Sequence, residues 1–290
     1  MATPGQWVAG ARPRTLPAAV APVLVGTGVA FYEDSFRAVA ALLALAVAVA
    51  FQVGVNYAND YSDGIKGTDD ARVGPVRLVG QGLAAAPAVK RAAIASFGVG
   101  AVAGLALVAV SGMWWLIPVG IACIAAGWLY TGGPRPYGYA GLGEVFVFVF
   151  FGLVAVTGTA ATQIGSIPLV AVVASVPVGL WACAILVVNN LRDIPTDTES
   201  GKNTLAVRLG DRRTRVLFVV IVVSGFVTVV AMTTYTPWVL LALLGIPPGI
   251  RPIRTVADGA LGRDLVPALA GTGVVLLVSG LGLAVGLAVG

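Results

Sequence analysis

Histidine is absent from this chain, and that one gap removes a large block of chemistry. Without imidazole there is no side chain with an ordinary pKa near neutrality, no Ser-His-Asp relay and no His-ligated zinc. Cysteine is scarce. Cys123 and Cys183 both sit inside apolar runs without CxxC spacing, so they read as small packing residues and not as a disulfide or redox pair. Charge is scarce as well: 11% of the 290 residues are charged, where a soluble domain carries about 25%. That deficit excludes an ordinary soluble enzyme. The formal net charge of +5 would suggest nucleic acid in a soluble protein. Here its distribution follows membrane topology, and no nucleic-acid partner is expected.

Apolar residues, 58% of the chain, take the place of charge. A transmembrane helix needs roughly 20 mainly apolar residues. Nine runs qualify as candidate spans: 16–32, 37–57, 92–112, 114–131, 142–164, 167–189, 214–234, 237–250 and 265–289. Arg12 and Arg14 ahead of the first run imitate a signal peptide, but eight further runs favour a retained helix. The eighth run is the weakest. It is short and ends in Pro247-Pro248-Gly249, a helix-breaking sequence. The connections alternate between short, almost uncharged loops and the long segments 58–91, 132–141, 190–213 and 251–264. Of the 18 Lys and Arg, only Arg37 lies on the short-loop side. By the positive-inside rule the N-terminus and the long loops are cytoplasmic, and nine spans place Gly290 on the outer face. The expected fold is an all-α polytopic membrane protein, one domain over 1–290. The longest loop is too short to bury a core of its own, so the 2–3 and 6–7 loops read as a cytoplasmic cap.

Seven of the 13 acidic residues fall in two short patches, each where an apolar helix ends. Asp60, Asp63, Asp69 and Asp70 follow the second span; Asp193, Asp197 and Glu199 follow the sixth. The first patch contains the frames Asn56/Asp60 and Asn59/Asp63, and the second contains Asn189/Asp193 and Asp193/Asp197. Residues i and i+4 lie about 40° apart on a helix, so each set shares a face while the helix lasts. Gly64 and Pro195 predict that both helices soon break. Four spans separate the patches, in the manner of a weak internal repeat.

One such patch is readily explained as a solvated loop with capping carboxylates. Two matched patches are not, because like charges at i, i+4 repel and carboxylates beside hydrocarbon need a compensating cation. Mg²⁺ suits them: it takes oxygen ligands and commonly binds through one or two carboxylates plus substrate phosphates. The candidate ligands are Asn56, Asn59, Asp60, Asp63, Asp193 and Asp197, with Asn189 and Asp69 as second choices. Lys66, Arg72 and Arg77 in one loop and Arg192, Lys202 and Arg208 in the other can meet a diphosphate, although positive-inside bias explains any single one of them. Tyr130, Tyr137, Tyr139 and Trp128 are candidates to face a carbocation, or else members of an interfacial aromatic belt. Glu144 is a lone acid at the start of an apolar helix. It is either a functional intramembrane acid that orients an aromatic acceptor or an acid favoured by a helix N-terminus.

Paired Asp-rich motifs at the ends of the second and sixth helices of a nine-helix bundle resemble the UbiA superfamily of aromatic prenyltransferases. Longer stretches look like its MenA branch, the enzymes of menaquinone synthesis: Ala11 to Pro17, Asn59 to Asp69, Gly74 to Val79, Tyr130 to Pro134, Gly143-Glu144 and Asn189 to Asp193. The resemblance covers nearly the whole chain. It implies transfer of a polyprenyl group from polyprenyl diphosphate to 1,4-dihydroxy-2-naphthoate, with loss of diphosphate and CO₂, and with Mg²⁺ as cofactor. Many superfamily members carry a third acid four residues after the position of Asp63. Here that residue is Gly67, and Asp69 and Asp70 follow shortly. Two alternatives stay open: a different aromatic acceptor on the same fold, and a divalent-cation or metabolite transporter, since broken helices and intramembrane acids also mark transporters. Prenyl chain length and oligomeric state are not readable from the sequence.

Overall fold

The computed structural model describes residues 2–67 and 76–290, and every described segment is helical or a connection. A short helix α1 (Pro4–Gly10) opens with a capping box: Gln6 N donates to Thr3 Oγ1, and Thr3 N donates back to Gln6 Oε1. Nine longer helices follow: α2 (Pro17–Tyr32), α3 (Ala38–Ile65), α4 (Ala86–Ser111), α5 (Leu116–Leu129), α6 (Gly143–Ile164), α7 (Leu169–Glu199), α8 (Leu205–Ala231), α9 (Pro237–Ala257) and α10 (Val266–Ala288). Each of the nine apolar runs becomes one of them. Among the described residues, seven helices are long and apolar enough to cross a membrane, and the bent pair Pro4–Thr15 with Pro17–Tyr32 makes up to eight. With 14 residues, α5 reaches only about 21 Å, less than the roughly 30 Å hydrocarbon core.

Exposed apolar side chains such as Leu42, Val102, Ile121, Val220 and Val227 form the outer surface, as a lipid solvent requires. The interior is built around α7 and α10, the most buried helices. Trp181 on α7 is fully buried and donates its indole N–H to Val222 O of α8. α3 packs on α4, α7 on α8, and α10 on both α2 and the first part of α9. Where α6 meets α7, Gly152 and Gly179 lie back to back: a Cβ on Gly152 would come within 2.7 Å of the Gly179 backbone. On this stretch, Phe148–Val154, α6 is a π-helix, a form found mostly as single turns at functional sites.

Three expectations about helix ends are corrected. Pro195 does not break α7, which runs on to Glu199, so the second acidic patch is helical throughout. Pro247-Pro248-Gly249 does not end the eighth span. Residues 237–245 are a 3₁₀-helix, and the two prolines occupy the first turn of the α-helix that continues it, where a missing N–H costs little. That continuation reaches Ala257, so half of the expected 251–264 loop is helix.

Candidate active site

The two acidic helix ends converge on one cavity. It holds about 1500 Å³ and is walled by residues of α2 to α7, with Arg263 closing it near the start of α10. Its charged end is formed by Asn56, Asn59, Asp63 and Arg77 on one side and Asn189, Arg192, Asp197 and Lys202 on the other. Its body is apolar, with Phe51, Leu105, Ile117 and Phe150 among the walls.

The end of α3 divides its polar side chains between wall and scaffold. Asp60 is fully buried and accepts backbone N–H bonds from Leu78 (2.7 Å) and Val79 (3.1 Å). It thereby folds the segment 76–80 back over the helix, seating Leu78 beside Tyr57 and Gly10. Asn56 Nδ2 donates to Ala11 O at 2.8 Å and to Thr15 Oγ1 at 3.0 Å, which fixes the N-terminal segment against α3. Asn59 Oδ1 accepts from Thr131 Oγ1 at 2.8 Å. Asp63, one turn beyond Asn59, is on the cavity wall. Asp69, Asp70 and Arg72 lie outside the described residues.

At the end of α7 the Arg192 guanidinium grips its neighbour Asp193 with two 2.8 Å bonds and Asn189 Oδ1 with a third at 3.0 Å. One turn further on, Asp197 faces the cavity. The two patches are joined by Tyr139. Its hydroxyl donates to Asp63 Oδ1 at 2.6 Å, and Lys202 Nζ lies 3.3 Å from the same oxygen. The Tyr139 ring carries two ammonium groups, Lys66 at 4.9 Å and Lys202 at 4.7 Å from its centroid. The ring is therefore already engaged by cations, while it also lines the cavity. Lys66 is not itself on the cavity wall and donates to Thr131 O at 2.7 Å. Burial pulls the Lys66 ammonium below the ordinary lysine range, Asp63 opposes that shift, and Lys202 adds to it. Backbone pairing completes the junction: Asn203 N donates to Tyr139 O, and Arg208 donates to Ala140 O.

An aromatic series descends from this mouth. Tyr130 meets Tyr137 edge-on at 5.4 Å, Tyr137 stacks on Phe146 at 3.8 Å, and Phe146 faces Phe150 at 6.0 Å. All four line the cavity. The Tyr137 hydroxyl is held by Ala126 O, and burial pushes its pKa up. Trp128 is off the cavity wall, packed against Tyr61. Glu144 is buried just behind the wall, with Oε1 accepting from Asn190 Nδ2 at 3.0 Å. Sequence reasoning passed over Arg12, Gln52, Thr131 and Asn190, all on or against the cavity. Asn190 was findable, since it lies seven residues before Asp197 and so shares its helix face.

The donor set can be tested against a metal. Among the described residues no three acidic side chains gather into a ready-made cage. Asp63 and Asp197 instead face one cavity across a cationic rim, together with the amides of Asn56, Asn59 and Asn189. Such an all-oxygen set fits a hard divalent cation whose remaining ligands are a substrate's phosphates.

A cavity with a charged head and an apolar body, set within a helical bundle whose outer surface is apolar, defines a multi-pass membrane protein. The UbiA prenyltransferase family model matches residues 19–256. The chain is 55% identical to 1,4-dihydroxy-2-naphthoate octaprenyltransferase of Mycobacterium tuberculosis, over 100% of this chain and 99% of that one. It is 39% identical to the enzyme of the same name from Escherichia coli, over 86% of this chain and 84% of that one. Among solved structures, a UbiA homolog from Aeropyrum pernix superimposes with a TM-score of 0.72 at 15% identity, covering 92% of this chain and 97% of that one. A UbiA homolog from Archaeoglobus fulgidus bound to GPP and Mg²⁺ does so with 0.69 at 13%, covering 97% and 99%. This protein belongs to the UbiA prenyltransferase family.

Proposed function

We propose that this protein transfers a polyprenyl group from polyprenyl diphosphate to 1,4-dihydroxy-2-naphthoate, releasing diphosphate and CO₂ and forming demethylmenaquinone. The observation that carries the reading is full-length identity of 55% to an enzyme named for that acceptor, joined to a cavity with a charged mouth and an apolar body. The N-terminus and the cavity mouth lie on the cytoplasmic face, where 17 of the 18 basic residues cluster. The chain crosses the bilayer nine times if α5 and the bent first helix each count as one span.

Asp63 and Asp197, with the amide oxygens of Asn56 and Asn59, would hold Mg²⁺ against the diphosphate. When bound, the metal neutralises charge that develops on the leaving diphosphate, and a low-dielectric site enlarges that effect. The protein's own side chains do the rest. Arg77, Arg192 and Lys202 present guanidinium forks and an ammonium to the phosphate oxygens. Asp60 holds the 76–80 segment that carries Arg77. Asp193 keeps Arg192 in one rotamer. Tyr139 gathers Lys66 and Lys202 on its ring and fixes Asp63 through its hydroxyl. Below the mouth, Tyr130, Phe146 and Phe150 exclude water from the allylic carbon and offer it aromatic faces. The apolar body takes the prenyl tail.

The test is product formation by purified protein in detergent, given 1,4-dihydroxy-2-naphthoate, a polyprenyl diphosphate, and Mg²⁺ or EDTA. The expected result is a prenylated, decarboxylated naphthoquinone with Mg²⁺ and none with EDTA. Product from another aromatic acceptor alone would retain the prenyltransferase and discard the naphthoate. Silence with every acceptor, combined with ion or metabolite flux in proteoliposomes, would replace the enzyme with a transporter.

A further inference from the structure

One buried polar pair beside the cavity is left unused by the diphosphate site. Glu144 begins α6 and is buried. Its Oε1 accepts from Asn190 Nδ2 at 3.0 Å, while its Oε2 is enclosed with no hydrogen-bond partner. The Glu144 carbonyl is held by the Cys183 thiol at 3.1 Å, which pins the start of the helix. Asn190 is itself buried and lies on the cavity wall. With its NH₂ group turned inward to Glu144, its Oδ1 is the end left over. Among the described residues no donor reaches that oxygen. The adjacent Asn189, also on the wall, is arranged differently: its Oδ1 is taken by Arg192, and its Nδ2 lies 3.4 Å from Asp193. One asparagine belongs to the ionic cluster, and the other offers an unsatisfied acceptor to the cavity.

The depth is informative. Asn190 precedes Asp197 by seven residues on one continuous helix, which places it about 10 Å further into the bundle on the same face. A diphosphate held at Asp63 and Asp197 leaves its reactive carbon just below the mouth. The partner attacking that carbon lies at the level of Asn190, beside the aromatic wall of Tyr130, Tyr137 and Phe146. A flat ring with hydroxyl donors matches such a wall: faces pack on aromatics, and one hydroxyl meets one carbonyl oxygen.

Resting on the prenyltransferase reading above, we propose that Glu144 and Asn190 form the acceptor-recognition pair. Glu144 is the positioning residue that fixes the amide orientation. Asn190 Oδ1 accepts a hydrogen bond from a ring hydroxyl of the hydroxynaphthoate. A site built to accept from a hydroxyl discriminates strongly against the analogue lacking it, because the buried acceptor is then left unpaired.

The experiment compares wild type with Asn190→Leu, Glu144→Leu and Glu144→Gln, as full-length protein in detergent with Mg²⁺. Two quantities are read. One is the KM for each substrate. The other is the ratio of inhibition constants for 2-naphthoate and its 1-hydroxy and 4-hydroxy forms. Asn190→Leu and Glu144→Leu are expected to raise the naphthoate KM about tenfold and to erase the preference for one hydroxylated form, with the prenyl diphosphate KM within about twofold. Glu144→Gln keeps the preference, since its amide oxygen still accepts from Asn190. An unchanged hydroxyl preference in Asn190→Leu overturns the proposal. So does an equal rise in both KM values together with a fall in melting temperature in both Leu variants, which describes a merely structural pair. If wild type prenylates a different aromatic acceptor, the naphthoate assignment fails separately, and the same ratio measured with that acceptor's hydroxy and deoxy forms decides the pair.

Discussion

The two acidic patches look alike in sequence and behave differently in the fold. At the end of α3, Asn56, Asn59 and Asp60 reach across to other segments: the backbone at Ala11, the Thr131 hydroxyl, and the amides of Leu78 and Val79. At the end of α7, Asn189, Arg192 and Asp193 bond to one another along a single helix. The first patch organises the parts of the chain that cover the site, and the second brings its own cation with it. Among the described residues, each leaves one carboxylate for the cavity, Asp63 and Asp197. A repeated motif can thus retain the same chemical terminus while its other residues take up local duties.

The comparison can be broken at its strongest point first. Asp63→Asn and Asp197→Asn are each expected to lower kcat about 10²- to 10³-fold, since each removes a charge from the cavity while keeping the shape of the side chain. Retained activity in both, at matched folded yield, removes the shared-terminus reading. Chelation is the second test. EDTA abolishes turnover by wild type and leaves its melting temperature unmoved, since Asp63 already has the Tyr139 hydroxyl and the Lys202 ammonium as partners.

Asp60→Ala and Asp193→Ala then sharpen the difference between the patches. The first strands two buried backbone amides and costs about 3 kcal/mol; amide exchange and proteolysis rise in residues 76–85. The second leaves the Arg192 guanidinium without its carboxylate, at a comparable cost of about 3 kcal/mol, and its exchange rises around 189–199 instead. Identical exchange maps would erase the distinction. The smallest expected effect is that of Tyr139→Phe. Losing the hydroxyl bond to Asp63 while keeping the ring that both lysines meet lowers kcat/KM by about tenfold, readable in the same turnover assay.

Much of this was legible in the sequence. Nine apolar runs became nine helices, because a helix is the economical way to satisfy backbone polar groups inside hydrocarbon. The paired N-x-x-x-D frames pointed to the two helix ends that meet at the cavity, because a four-residue spacing on a helix is a statement about one face. The division of labour within each frame was hidden. Asp60 and Asp63 are equivalent by spacing. Only the return of residues 76–80, a pairing across 18 positions, assigns one to scaffold and the other to the cavity. Pro195 misled for a local reason: a proline biases against helix on average, yet it tolerates one when tertiary contacts hold the turn. The convergence of Lys66, Tyr139 and Lys202 joins three segments far apart in the chain, and no periodicity reports it.

The π-helical turn at Phe148–Val154 bears on how this chain can change over generations. A wide turn sets the phase of everything after it. Tightening it to an ordinary α-turn with the same residues would rotate the rest of α6 by one residue's step, about 100°. Gly158, Thr159 and Thr162 would swing off the cavity wall, and the close seat of Gly26 against Val156 and Thr159 would be lost. The number of residues in those seven positions is therefore tied to the width of the turn: a lineage that loses one of them loses the π form with it.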